Sequence, residues 1–275
     1  TVTGPGASMT DKTFRLVDPA SQRTLAIRAD ITPQIARIGA TRLSQWPRPL
    51  RLSYSGTVLR VAGDQLRPDR QFRQAGIELI GSGSIAADVE VIASPCEALM
   101  ALGVSGLSVD LSLPALAPAL APALQVNGPM AAELREAVNR KDIASIERLA
   151  GADAGPLVAL VQTAGPADAA LARLDAMKLS TAAEEALKPA RELLPLLAVS
   201  LPELVVTLDP SEHRGFEYHS GISFSLFASG VHGEIGRGGR YWASAPGHAG
   251  ETATGTTIYM LSLIHISEPT RHLFI

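Results

Sequence analysis

RQFRQAGIELIG, residues 70–81, is the stretch on which the fold turns. Read as an extended strand, its side chains alternate between two faces. Gln71, Arg73, Ala75, Ile77 and Leu79 fall on one face; Arg70, Phe72, Gln74, Gly76, Glu78 and Ile80 fall on the other. One carboxylate, Glu78, therefore stands in an apolar run. A carboxylate kept dry and unpaired costs roughly several kcal/mol or more, so Glu78 needs a cation or hydrogen-bond donors. The partner is either internal, with Arg60 across a hairpin as the candidate, or a ligand.

Working outward, PLRLSYSGTVLRV (49–61) alternates apolar and polar residues, AGDQLRPD (62–69) breaks the pattern, and residues 70–81 resume it, which predicts an antiparallel hairpin with a long loop. Upstream, FRLVDPASQRTLAIRAD (14–30) reads as two short strands around a polar turn at 18–22. In ITPQIARIGATRL, Thr32 is the expected N-cap and Pro33 the first residue of a helix running to about Ser44. Downstream come a helix near 86–102 and a strand in LSVDLSL (107–113). Hairpins mixed with helices favour an antiparallel-rich α/β sheet over a doubly wound parallel one.

The middle of the chain changes character. PALAPALAPAL (114–124) places proline at every fourth position, which one continuous α-helix does not tolerate, and predicts a linker or irregular segment. From Pro129 to about Val199, Ala, Leu, Glu and Lys recur at helical spacing, broken at GADAG (151–155) and AGPAD (164–168), predicting an inserted module of three to five helices. Strand pattern resumes over 201–230. The glycine-rich GRGGRY (236–241) reads as a turn between strands in preference to a phosphate nest.

The chain of 275 residues is 46% hydrophobic and 19% charged, enough for one to two domains with a full core. A net charge of −3 gives no support to phosphate-backbone binding, so no nucleic-acid partner is expected. The single Cys96 cannot form an internal disulfide and reads as a buried helix residue, which fits a reducing compartment. Without a signal-like N-terminus or an apolar run of about 18 residues, the expectation is a cytoplasmic, non-membrane protein. No zinc spacing, nucleophile elbow, Walker loop or dinucleotide fingerprint occurs, so no metal and no cofactor are expected.

What remains is a set of polar side chains in strand-like surroundings: Asp30, Thr32, Arg60, Gln74, Glu78, Arg214, Tyr218 and Tyr241. Acids suit an ammonium or an imidazole N–H, and an arginine takes a carboxylate bidentately. Pairing inside the protein, Glu78 with Arg60 and Arg214 with Glu217 or Asp209, is the alternative, and the residues alone leave both open.

LAIRADITPQIARI (25–38), RLSYSGTVLRV (51–61), RQFRQAGIELIG, EHRGFEYHSGISF (212–224) and GRGGRY, in that order, resemble the catalytic core of histidyl-tRNA synthetase. They are closer to its non-catalytic relative, the regulatory subunit of ATP phosphoribosyltransferase. The resemblance covers about residues 13–112 and 203–260. It implies a class II synthetase-like α/β (α+β) fold, an antiparallel sheet flanked by helices, with a helical insertion at 129–200 between core parts 1–128 and 201–260.

By the same resemblance Asp30 stands where the synthetase has a glutamate for the substrate ammonium, and Thr32 matches the threonine two positions on. Arg60 matches the arginine of the second class II motif, and Gln74 and Glu78 the pair that hold histidine. Arg214 matches the arginine of an RGLDYY signature, with Tyr218 and His219 in its two tyrosine positions, and Tyr241 matches the tyrosine of GGRYD.

Departures separate the two relatives. Ala62 replaces a glutamate that helps place ATP, His219 replaces a tyrosine, Trp242 replaces an aspartate, and ATGTTIYM (253–260) lacks the third-motif arginine that clamps phosphates. The resemblance thus implies a non-catalytic subunit that assembles with the short-form catalytic subunit and conveys histidine feedback in the first step of histidine biosynthesis. A histidine-activating, synthetase-like enzyme is the alternative. Two further expectations concern the ends: the first class II motif is missing ahead of FRLVD, and residues 261–275, LSLIHISEPTRHLFI, are a non-native tail.

Overall fold

The computed structural model describes residues 11–63, 69–125, 128–212 and 219–260. Among them lie, in chain order, β1 (Arg15–Val17), β2 (Thr24–Ala26), α1 (Thr32–Ala40), β3 (Leu50–Leu59), β4 (Gln71–Ile80), α2 (Ile85–Ala101) and β5 (Ser108–Ser112). Then follow α3 (Leu116–Leu120), a 3-10 turn (Pro122–Gln125), α4 (Pro129–Asn139), α5 (Ile143–Ala150), α6 (Ala154–Val161), β6 (Gly165–Pro166), α7 (Ala167–Asp175) and α8 (Thr181–Ser200). The last four strands are β7 (Val205–Asp209), β8 (His219–Phe227), β9 (Gly236–Ala243) and β10 (Glu251–Tyr259). The chain divides into two compact units, residues 1–107 with 226–275, and residues 108–225. The expected tail at 261–275 and most of the loop at 62–69 lie outside the described residues.

In the first unit four strands run in the order β3-β4-β10-β9, every neighbouring pair antiparallel. Their register lines up rows across the sheet. One row is Leu52, Glu78, Gly255 and Gly239; the next is Tyr54, Gly76 and Thr257. Helix α1 lies on this face, its small residues Ala36, Gly39 and Ala40 buried, with Gly39 against Leu50 and Ile80. Helix α2 covers the opposite face, onto which Thr254 and Thr256 of β10 point.

Helix α2 begins at Ser84, whose side chain accepts the Ala87 N–H, a cap that contributes about 1 kcal/mol. One turn in, the buried Asp88 accepts from Arg240 Nη2 at 2.6 Å and from Thr254 Oγ1 at 2.7 Å, while Thr256 Oγ1 donates to the Val91 carbonyl. These bonds pin α2 to β9 and β10. Cys96 is fully buried in the same helix, and burial pushes its thiol up to about 12, so it is inert.

The second unit holds the helices α3 to α8 among its described residues, and the strands β8 as far as Ser225, β5, β7 and β6 in that order. β5 and β7 pair in parallel, an exception to the antiparallel pattern. The apolar stripes expected over 129–199 are buried, with Leu134, Ile146, Leu157, Leu174, Leu187 and Leu197 at 0–1% exposure. Asp142 caps α5 by accepting the Ser145 N–H. Among the described residues no helix is long and apolar enough to cross a membrane.

Three local expectations are corrected. Thr32 is inside α1 and Ile31 is its N-cap, because the Asp30 carboxylate takes the cap's task and accepts the Thr32 N–H at 2.9 Å. PALAPALAPAL is no linker. It makes a one-turn helix and a 3-10 turn whose Leu116, Ala117, Ala121 and Leu124 are buried. GRGGRY is strand interior in β9, with Gly239 opposite Gly255, so it forms neither a turn nor a nest.

Candidate functional site

Glu78 sits near the C-terminal end of β4 on the α1 face, 2% exposed. Its cross-strand neighbours are Leu52 and Gly255. A Cβ at Gly255 would overlap Glu78 Oε2, so the glycine leaves the space that the carboxylate fills. Tyr241, 1% exposed on β9, donates its O–H to Glu78 Oε2 at 2.9 Å, and the hydroxyls of Thr32 and Tyr54, which lie 3.2 Å from one another, stand near enough to favour its charged form. Among the described residues no cation pairs with it. Burial therefore dominates and pushes the Glu78 carboxyl up to about 8; the hydroxyl donors pull the other way, and the nearby Asp30 charge adds to the rise.

Gln74, earlier on the same strand face, is fully buried. Its Oε1 accepts the Ile31 N–H at 3.2 Å and its Nε2 donates to Asp30 Oδ2 at 3.4 Å. Gln74 and Asp30 together thus satisfy two of the open N–H groups at the start of α1. Arg60, at the end of the hairpin's first strand, pairs with Asp30 at 4.0 Å, donates Nε to the Ala29 carbonyl at 3.3 Å, and lays its guanidinium 4.7 Å from the Phe72 ring centre. The internal pairing of Glu78 with Arg60 is therefore not made: Arg60 serves Asp30.

Six of the expected residues, Asp30, Thr32, Arg60, Gln74, Glu78 and Tyr241, thus converge on one polar network. Arg214 and Tyr218 lie outside the described residues. His219 opens β8 in the second unit, half-buried.

Sequence reasoning missed four participants. Tyr54 Oη lies 2.6 Å from Thr257 Oγ1 and 3.2 Å from Thr32 Oγ1, and its ring crosses β4 at Gly76, where a Cβ would strike the phenol. Burial and the neighbouring Glu78 and Asp30 charges hold the Tyr54 phenol well above its usual range, so it stays a proton donor. Gly76, Gly255 and Thr257 complete the group. The signal for them is the hairpin register, which places Tyr54 opposite Gly76.

Chemically the site offers two carboxylates and an amide oxygen, backed by hydroxyls, to a ligand rich in N–H groups. The third-motif segment, now seen as β10, carries no arginine to stabilise a phosphoryl charge.

An antiparallel sheet flanked by helices, with this acid–amide pair on a central strand, defines a class II synthetase-like protein. A sequence profile described as Histidyl-tRNA synthetase matches residues 1–263. A relative from Paramagnetospirillum magneticum, an ATP phosphoribosyltransferase regulatory subunit, is 50% identical over 99% of this chain and 72% of its own length. The crystal structure of an ATP phosphoribosyltransferase regulatory subunit/histidyl-tRNA synthetase from Bacillus halodurans is similar with a TM-score of 0.80 at 28% identity, over 94% of this chain and 69% of that one. An ATP phosphoribosyl transferase (HisG:HisZ) complex from Thermotoga maritima shares the fold, with a TM-score of 0.68 at 18% identity over 90% of this chain and 85% of that one. The chain belongs to the histidyl-tRNA synthetase family and, within it, to the ATP phosphoribosyltransferase regulatory subunits, which are regulatory rather than catalytic.

Proposed function

We propose that this chain binds histidine at Glu78 and passes its occupancy to a short-form ATP phosphoribosyltransferase catalytic subunit, in the cytoplasm, as the feedback arm of histidine biosynthesis. The observation that carries the ligand is Glu78 itself. A buried acid held only by hydroxyls among the described residues is an acceptor waiting for a donor, and an imidazole N–H or imidazolium fits a carboxylate that titrates near neutrality. Asp30, already facing N–H donors, takes the ligand's ammonium, while Arg214, Tyr218 and His219 are read as further contacts. The segment 129–200 is, in this reading, a helical insertion in the core.

For feedback, histidine must favour one arrangement of the assembly over another by a coupling of about 1–3 kcal/mol. The test is calorimetry with histidine, followed by inhibition of the reconstituted complex. Glu78→Gln is expected to raise the histidine Kd by at least about tenfold, the size of one charge-assisted hydrogen bond, while leaving assembly unchanged by size-exclusion chromatography. An unchanged Kd and unchanged inhibition would refute the assignment. Histidine-dependent ATP–pyrophosphate exchange is expected to be absent, since Ala62 and the arginine-free β10 leave ATP unsupported.

A further inference from the structure

Phe72 stands on the same face of β4 as Gln74 and Glu78, one pleat nearer the hairpin loop. The register fixes its neighbours. Its partner on β3 is Val58, which puts Arg60 on the diagonal to one side; Tyr259 on β10 faces Gln74, which puts it on the diagonal to the other. Both diagonals are closed by contact. Tyr259, 4% exposed, meets the Phe72 ring in a T-shaped pair with centroids 5.8 Å apart, and the Arg60 guanidinium lies 4.7 Å from the same ring centre.

Arg60 starts from an unfavourable place. Its backbone N–H donates to the Arg70 carbonyl at 2.7 Å, so the two arginines stand opposite each other across the hairpin. Like charges directly opposite on paired strands are destabilising. Each guanidinium is laid over a ring instead, Arg60 over Phe72 and Arg70 over Phe14 at 5.1 Å. For Arg60 the ring also sets a direction. From over Phe72 its Nε reaches the Ala29 carbonyl at 3.3 Å, and its Nη2 lies 4.0 Å from Asp30 Oδ2. Both of these contacts are long, and fixing a side chain as rotamer-rich as arginine is costly in entropy.

We propose that Phe72 is a positioning residue: its ring, braced by Tyr259, supplies the third contact that keeps the Arg60 guanidinium beside Asp30, and so fixes the carboxylate that faces a ligand. Asp30 is the link to the rest of the group, because it also accepts from the Thr32 N–H and from Gln74 Nε2. Phe72 acts only through Arg60. What the ring offers beyond bulk is the negative charge of its face, which an aliphatic side chain of similar volume lacks.

The experiment replaces Phe72 in the full chain with mono-, di- and trifluorinated phenylalanine, which drain charge from the ring face in steps while changing its size little. Exchange of the Arg60 Nε–H with solvent is followed by NMR, the signal being identified by its loss in Arg60→Lys. It is expected to quicken with each added fluorine, reaching about tenfold, the worth of one partly buried cation–π contact. Phe72→Leu is expected to match the trifluorinated ring, and Phe72→Tyr to keep the wild-type rate. A role limited to packing gives one exchange rate for every fluorinated ring, and that result overturns the proposal. Should the fluorinated chains fail to fold, Phe72→Leu and Phe72→Tyr decide the same question, equal rates in the two overturning it.

The consequence for the ligand rests on the histidine reading, in which Asp30 takes the ammonium. With histidine as titrant, calorimetry is expected to show the Kd rising in the same order as the exchange rates, by about three- to tenfold at the trifluorinated ring. A Kd that stays flat while exchange quickens overturns the step from Arg60 to Asp30. If the wild-type chain takes up no histidine, the ligand assignment falls while the exchange rates still decide whether Phe72 holds Arg60.

Discussion

The two faces of the β3-β4-β10-β9 sheet each bury an acid, and the two acids are treated in opposite ways. Asp88, under α2, is 2% exposed and fully matched: Arg240 supplies charge and Thr254 a hydroxyl. Glu78, under α1, is equally buried and receives hydroxyls only among the described residues. Burial without a cation raises a carboxyl's affinity for its proton, and Glu78 carries that signature. The difference separates an acid whose charge the fold matches with a cation from one that, among the described residues, it meets with hydroxyls alone.

The most severe way to break the comparison is to make Asp88 resemble Glu78. Arg240→Ala strips the cation from a buried carboxylate and is expected to cost about 3–5 kcal/mol, read as a lower midpoint in urea unfolding. Adding Asp88→Asn to it is expected to recover part of that loss, since the charge is removed with its partner.

A second intervention uses pH. Because the folded-state value of Glu78, about 8, lies above its ordinary 4.5, the folded chain holds more protons than the unfolded chain between those limits. Stability contributed by the protonated acid is complete below about pH 4.5 and is lost as pH rises toward 8, at up to about 1.4 kcal/mol per pH unit. Glu78→Gln is expected to flatten that decline, so the variant gains on the wild type as pH rises. Thermal unfolding followed across this range measures it, and parallel curves for the two proteins would contradict the assignment.

The smallest effect comes from refilling the space beside Glu78. Gly255→Ala puts a methyl where Oε2 lies, and is expected to cost about 1–3 kcal/mol as an overpacked site. The change in urea midpoint should shrink when Glu78→Ala is present too, a coupling that two independent sites would not show.

Much of this was legible in the chain itself. The alternation in 70–81 put Gln74 and Glu78 on one face with Phe72, and the hairpin partner 49–61 was clear from the same alternation. What was not legible depended on register or on exceptions to local rules. Tyr54 and Thr257 become neighbours only once β4 is known to run between their strands, which no single stretch reveals. The prolines of PALAPALAPAL forbid one long helix but not two short ones: Pro118 falls in the first turn of α3, where its missing N–H goes unused, and Pro122 opens the next turn. Thr32 has the residue type of a cap, yet Asp30, two positions earlier, reaches the same N–H group first.

The seats at Gly76 and Gly255 tie pairs of positions together in inheritance. Each glycine is kept empty by a side chain rooted on a neighbouring strand, so neither can acquire a side chain until its lodger is shortened. A lineage that discards the acid at position 78 releases position 255 to drift, and one that shortens the phenol at 54 removes one of the two bars on position 76, where the Thr256 carbonyl still stands. Among relatives of this chain, a side chain at 255 should therefore travel with a lost acid, and so mark the members whose site has changed its trade.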